Sequence, residues 1–313
     1  MTRRAAIDLG SNSTRLLIAN VENGGSYVTV ERLMQITRMG AGVDADGRLA
    51  ADAIARVEAC LHDFRTHLDA HGPCELRVVA TSAARDAANR EALFDRVEAI
   101  LGLRPVLLTG QEEAALSYRG ATASLPQSAP APYLVVDIGG GSTEFVLGID
   151  EPIGASSVDM GCVRFTERFI ESDPPRGEEL SNAVGFAKDF MADVLREIPD
   201  AVAARTLIGL AGTVSAAVRI FKALPDYDRD AIHHAILTRE DVEEVFREVA
   251  TATHEERLAT PGMEPERADV IVGGMCVLVA IMRTLGSTAI VHSEADILDG
   301  LVMESQSENK TDR

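Results

Sequence analysis

A chain of 313 residues has room for about two domains, and at 46 % apolar residues it can bury a sizeable core. That composition excludes disordered and collagen-like classes, and a formal net charge of −19 argues against non-specific binding to nucleic acid or to an anionic membrane. Of the 30 cations only Lys188, Lys222 and Lys310 are lysines, so a local cluster of Arg can still reverse the sign around an anionic substrate.

The first elements in chain order are two short apolar runs, Ala5-Ala6-Ile7 and Leu16–Ala19, on either side of a small-residue turn; they predict a β-hairpin, with a third strand over Tyr27–Leu33. Residues 50–71 carry a helical pattern, Leu76–Thr81 reads as a buried strand, Arg85–Leu101 as a helix and Leu103–Leu108 as a strand. A further helix opens near Gly110. The Pro- and Ser-rich stretch 124–132 is the linker candidate. Beyond it, Leu134–Val136 and Phe145–Leu147 predict a second hairpin. Helices follow near 177–197, 239–250 and 267–285, and strands near 206–211 and 288–292. A last helix over Asp296–Ser305 precedes a polar tail, 306–313, expected to fray. Four well-separated cysteines (Cys60, Cys74, Cys162, Cys276) form no Cys-x-x-Cys pair. No apolar run reaches the roughly 18 residues of a membrane span, and the N-terminus has no signal-peptide core. A reduced, cytoplasmic protein is expected.

One internal repeat organises the whole chain. Asp8-Leu9-Gly10-Ser11-Asn12-Ser13-Thr14-Arg15 aligns without gaps to Asp137-Ile138-Gly139-Gly140-Gly141-Ser142-Thr143-Glu144, in the same setting of strand, turn and strand. Strands alternating with helices after each copy predict an α/β fold in two similar lobes flanking a cleft, residues 1–126 and 130–293, with a C-terminal helix of about 294–308 packing back on the first.

The repeated turns are the main site of predicted chemistry. Small residues let the backbone approach an anion, successive N–H groups form a concavity for phosphate, and Ser and Asn add donors. Asp8 and Asp137, at strand ends, can hold Mg²⁺ through oxygen or water ligands, or can simply cap their turns. At the last position the first copy has Arg15 and the second Glu144, one suited to phosphate oxygens and the other to a water, or both merely exposed strand positions. Glu112 and Glu113 open a helix, where acids are favoured by the helix dipole; one of them is also a candidate general base. Thr81–Asn89 passes from strand to helix with hydroxyls and Arg85, a phosphate site or an ordinary N-cap, and Leu210–Ser215 repeats that geometry. The seven histidines show no metal-ligand spacing.

These pieces together resemble the exopolyphosphatase/guanosine pentaphosphate phosphohydrolase family of the actin-like, ribonuclease H-like superfamily. The matching motifs are Asp8–Arg15, Thr81–Arg85, Gly110-Gln-Glu-Glu113-Ala, Asp137–Glu144, Gly212-Thr213, Glu266-Arg267-Ala-Asp269 and Asp299-Gly300-Leu301, in family order along nearly the whole chain. The resemblance implies two duplicated actin-like ATPase domains, a homodimer, and removal of a terminal phosphate from polyphosphate or from guanosine penta/tetraphosphate. It also implies roles. Glu113 is the catalytic base and Glu144 positions or deprotonates the water. Asp137 is a Mg²⁺ ligand. Ser11, Asn12, Ser13, Gly140, Gly141, Ser142 and Arg85 hold phosphate, and Arg15 and Arg267 contact the substrate from opposite lobes. Where the family commonly has Leu-Arg-x-Gly, this chain has Ile297-Leu298-Asp299-Gly300. Longer members add a helical C-terminal domain, so shorter polyphosphate chains or nucleotides are the expected substrates. Paired phosphate loops also serve ATP, leaving an actin-like sugar kinase and a nucleotide-sensing or filament-forming module as rival readings.

Overall fold

The computed structural model describes residues 1–22, 25–126 and 129–304; two linker residues, Ser305 and the 306–313 tail lie outside the described residues. The chain divides into two compact units, Met1–Gly120 together with the segment from Asp296, and Ala121–Ala295.

The first unit is built on β1 (Thr2–Leu9), β2 (Ser13–Val21), β3 (Tyr27–Ile36), β4 (Glu75–Ala80) and β5 (Val106–Leu107). Their order is β3-β2-β1-β4-β5, with the first three strands antiparallel and the last two parallel to β1. Alternation along each strand decides which layer a side chain joins. Ile7, Leu9, Leu16 and Ile18 pack with Val57, Leu61 and Phe64 of the helix Ala51–His71 and with Leu93 and Val97 of the helix Arg90–Leu101. Ala6, Leu17 and Ala19 point the other way, onto Leu116 of the helix Gly110–Ala123 and Ile297 and Leu301 of the helix Ile297–Met303. Both faces are therefore covered, which is why these strands read as continuous apolar runs. Each such Leu or Ile removed from water contributes about 1.5–3 kcal/mol.

The second unit repeats the plan strand for strand. Here β6 (Tyr133–Ile138), β7 (Thr143–Gly148) and β8 (Pro152–Val158) form the antiparallel part. Then β9 (Thr206–Leu210) lies parallel to β6, and β11 (Ala289–His292) parallel to β9. A short β10 (Ile236–Thr238) adds an antiparallel edge, giving the order β10-β11-β9-β6-β7-β8. Both units thus carry the three antiparallel and two parallel strands of the ribonuclease H-like fold. The helix Ile271–Leu285 is buried without a break from Ile271 to Met282, the signature of a helix enclosed on every side. Among the described residues no helix is long and apolar enough to cross a membrane.

Several elements differ from expectation. The helix expected over Arg85–Leu101 is two, Ser82–Asp86 and Arg90–Leu101. Between them Asn89 is pulled aside, accepting from the Leu49 N–H (2.8 Å) and donating to the Leu49 carbonyl (3.0 Å), while Ala88 N–H donates to Gly47. The strand over Leu103–Leu108 shrinks to two residues, and the helix near 267–285 starts at Ile271 because Pro265–Arg267 forms a 3₁₀ turn. Strands β8 and β10 and the helix Cys162–Phe169 were not anticipated.

Candidate active site

In the first unit Gly10 N–H donates to the Ser13 carbonyl at 3.0 Å, closing the turn between β1 and β2. A Cβ at Gly10 would sit 2.9 Å from that same oxygen, so only glycine closes the turn without a shift. The turn's carbonyls are bound back to the body of the unit. Ser11 O accepts from Gly40, and Asn12 O accepts from Thr37 and Arg38. Ser11 Oγ accepts from Ala83 N–H (3.2 Å) in the first turn of the helix Ser82–Asp86. Asn12 is buried, and neither atom of its side-chain amide has a partner in the protein. A buried amide without a partner costs about 1–3 kcal/mol, which marks the spot as one completed by something other than protein.

Asp8 ends β1 and is 2 % exposed. Its Oδ2 accepts from Arg15 Nε (3.1 Å) and Nη2 (2.5 Å), the residue directly opposite on β2, while Oδ1 has no protein partner. Burial pushes the Asp8 carboxyl up, and Arg15 only partly opposes it. Arg15 also donates through Nη1 to Asp296, at the start of the C-terminal helix. Ser13 opens β2.

The same unit holds the paired glutamates, and the structure gives them different work. Glu112 folds back on Thr109, accepting from its N–H (2.8 Å) and hydroxyl (2.9 Å) while its own N–H donates to that hydroxyl. It is the cap of the helix Gly110–Ala123. Glu113 instead accepts from Arg85 Nη1 at 2.7 Å, and that nitrogen also donates to the Leu108 carbonyl at 3.0 Å. Arg85 therefore joins the strand end, the helix start and the carboxylate. Charge-assisted bonds of this kind orient an acid firmly.

In the second unit Gly139 N–H donates to the Ser142 carbonyl at 3.0 Å, the same closure at the same separation. The carbonyls of Gly139 and Gly140 accept from Cys162, Val163 and Arg164, capping the helix Cys162–Phe169, and Gly141 O accepts from Arg164 Nε (2.8 Å). The Gly140 and Gly141 N–H groups take no part in these bonds. Ser142 is buried. Asp137 and Glu144 stand directly opposite each other on β6 and β7, on one face and 7 % and 2 % exposed. Glu144 accepts from Ser157 Oγ (2.8 Å), its neighbour on β8.

Arg267 is buried in the second unit, with Nε donating to Glu264 (2.5 Å); Glu264 also accepts from the buried Arg219. A Cβ on Gly212, in the first turn of the helix Ala211–Phe221, would run into the Arg267 guanidinium, so a side chain there would displace the arginine. Just before Gly212, Ala211 has a positive φ of 62°, a strained conformation for a residue with a side chain.

The sequence residues thus fall into two groups, one per unit: Asp8, Ser11–Ser13, Arg15, Arg85 and Glu113 in the first, and Asp137, Gly140–Ser142, Glu144 and Arg267 in the second. Sequence reasoning missed the groups that hold them, Ser157, Glu264, Arg32 and Asp296. Only Asp296 left a local signal, an Asp three residues ahead of Asp299 in the pattern of a capping box. The donors here are all oxygens, which suits a hard cation such as Mg²⁺. Among the described residues no three or more His, Cys, Asp or Glu gather around one ion position. Mg²⁺ commonly binds through one or two carboxylates, with water and substrate phosphates as its other ligands.

The sequence model of the Ppx/GppA phosphatase family matches residues 17–308. Exopolyphosphatase 2 of Mycobacterium tuberculosis is 44 % identical over 315 residues, spanning 97 % of this chain and 98 % of that protein. The guanosine-5'-triphosphate,3'-diphosphate pyrophosphatase of Vibrio campbellii is 32 % identical across 96 % of this chain, which spans 58 % of that protein's length. The crystal structure of an exopolyphosphatase-like protein superposes with a TM-score of 0.92 at 36 % identity, covering 97 % of this chain and 98 % of that one.

Proposed function

Because this chain belongs to the Ppx/GppA phosphatase family, we propose that it is an exopolyphosphatase, releasing the terminal phosphate of inorganic polyphosphate with Mg²⁺ as cofactor. The observation that carries this reading is the repeated turn: two identical closures, each with small polar residues at its tip and a buried carboxylate at its base. Such turns bind phosphate oxygens through N–H and hydroxyl donors.

Phosphoryl transfer asks a protein mainly for positioning and for charge neutralisation. Asp137 in the second unit, and its counterpart Asp8 in the first, are the carboxylates that would hold Mg²⁺, which when bound supplies charge neutralisation on phosphoryl oxygens. The fit rests on Asp8 Oδ1, buried and without a protein partner, and on two buried carboxylates facing each other at Asp137 and Glu144. Ser11–Ser13 and Gly140–Ser142 bind phosphate, with Arg15 and Arg267 contributing cationic donors. Glu113, oriented by Arg85, accepts a proton from water. Glu144, fixed by Ser157, positions that water. The water oxygen forms a bond to the terminal phosphorus as the bridging P–O bond breaks, leaving orthophosphate and a polyphosphate shorter by one unit. The released proton passes from Glu113 to solvent.

The similarity to the Vibrio enzyme favours one second reading, hydrolysis of the 5'-terminal phosphate of guanosine pentaphosphate with the same residues. Phosphate release from long polyphosphate, short polyphosphate and guanosine pentaphosphate, measured in parallel with Mg²⁺ titrated, separates the two; the highest kcat/KM is expected on a polyphosphate. ATP-dependent transfer to a sugar without phosphate release would replace both readings with a kinase, and ATP-dependent sedimentation with an actin-type filament. The four free cysteines suit a reducing cytoplasm, and a homodimer is expected in sedimentation velocity.

A further inference from the structure

Three buried carboxylates and two arginines meet at one end of the first sheet. Asp8 on β1 faces Arg15 on β2, and Arg32 on β3 lies on the same face two positions along from Arg15's cross-strand neighbour Met34. Asp296 and Asp299 come from the start of the helix Ile297–Met303. Arg15 spans Asp8 and Asp296. Arg32 spans Asp299 and Asp296, the latter at 3.5 Å. Asp299 also accepts from Tyr27 Oη and from the Asp296 N–H (2.7 Å), and Asp296 Oδ1 accepts from the Leu298 N–H (2.9 Å).

Each bond removes one freedom. Two N–H groups of Arg15 on Oδ2 stop the Asp8 carboxylate from turning, Asp296 stops Arg15 from swinging away, and Arg32 with the helix start stops Asp296. Three acids share two guanidinium groups, and the unpartnered oxygen of the set is Asp8 Oδ1. Buried ionic networks gain little stability over apolar packing, so their value here lies in what they hold still.

We propose that Asp296 and Arg32 are positioning residues for Asp8: acting through Arg15, they present Asp8 Oδ1 to the cation and phosphate of the reaction, which makes the start of the C-terminal helix part of the active-site apparatus. The proposal rests on the polyphosphatase reading only through the role of Asp8. Outer residues that orient a metal ligand typically change affinity or activity by about 10- to 100-fold.

The test compares Asp296→Asn, which keeps the helix cap and removes the charge, with Arg32→Lys, which keeps the charge and removes the fork. Melting temperature, kcat and KM on polyphosphate are measured, and Mn²⁺ affinity is read by electron paramagnetic resonance with imidodiphosphate present. Asp296→Asn is expected to lose on the order of 10-fold in both kcat and Mn²⁺ affinity, with KM nearly constant and Tm within a few degrees of the parent. Arg32→Lys is expected to show the same pattern at about one third of that size. Parental kcat and Mn²⁺ affinity in folded Asp296→Asn overturn the proposal, as does a loss that merely tracks a collapse in Tm. Should Asp296→Asn not fold, unchanged Mn²⁺ affinity in Arg32→Lys overturns it. A wild-type protein that releases no phosphate from polyphosphate refutes the functional reading, while the Mn²⁺ arm, needing no turnover, still decides this one.

Discussion

At the hairpin of the first unit a carboxylate meets a guanidinium across the strand pair; at the hairpin of the second, the same register sets carboxylate against carboxylate. The backbones agree down to the closing bond, 3.0 Å in each turn. Asp8 is paired with Arg15 within its own hairpin, and Arg15 ties it onward to the C-terminal helix. Asp137 and Glu144 are buried opposite each other, and like charges directly across a strand pair repel. One changed side chain at the eighth position of a duplicated motif therefore separates two jobs. The first hairpin pairs its carboxylate with a cation across the strands; the second sets two acids on one face, with Ser157 donating to Glu144.

Besides its hairpin, the first unit carries Glu113, held by Arg85. Replacing Glu113 with Gln keeps an acceptor for Arg85 but removes the base, and kcat should fall by about 10²–10⁴-fold with KM little changed. Near-normal phosphate release would remove Glu113 from the mechanism. Next in size, Arg15→Met strands Asp8 and Asp296 as buried charges. Breaking a buried pair in this way costs about 3 kcal/mol, measurable by urea unfolding. Adding Asp8→Asn should recover part of the loss, and a cost that Asp8→Asn does not touch would mean that Arg15 supports packing rather than charge. The second hairpin predicts a smaller effect on stability. Glu144→Gln keeps an acceptor for Ser157 and removes one of the two facing acids, so Tm should stay within a few degrees of the parent while turnover falls. A collapse in Tm there would dissolve the contrast between the hairpins.

How much of this could be read from residues alone follows from how local each feature is. The two turns were legible because Asp-x-Gly followed by Ser, Gly and Asn specifies a tight turn wherever it occurs, and the repeat marked the pair as related. The covered sheets were legible from apolar runs such as Leu134–Val136. What stayed hidden depends on partners far along the chain: Arg15 on Asp296, 281 positions away, or the break at Asn89, imposed by Leu49. Strand β8 was missed because Pro152, Gly154 and an exposed Ile153 give no alternating pattern; it is held by pairing to β7. The paired glutamates show the same limit, since spacing alone could not tell that Glu112 caps the helix while Glu113 turns to Arg85.

The smallest expected effect separates the units by acid rather than by mutation. His233 lies in the second unit, stacked on His234 with ring centres 3.7 Å apart, and its Nδ1 accepts from the Glu294 N–H (3.0 Å). Burial, followed by the charges of His234 and Arg229, lowers its pKa to about 4. The unfolded chain therefore takes up a proton below about 6.5 that the folded chain refuses until about 4, and the stability present above 6.5 is lost as pH falls through that window. His234, also lowered, adds in the same direction. The first hairpin works against this trend. Asp8 is raised by burial, so the folded state binds its proton before the unfolded chain does and gains on acidification. At Asp296 burial is outweighed by Arg15 and Arg32, which hold the carboxyl below its ordinary value of 3.8, so its contribution is lost only at still lower pH. Between pH 6.5 and 4 these histidines of the second unit should thus set an acid slope of a few degrees in Tm, and His233→Gln should flatten it. A slope unchanged in that variant would place the acid sensitivity outside His233, and a slope that becomes steeper in Asp8→Asn would confirm that the first hairpin opposes it.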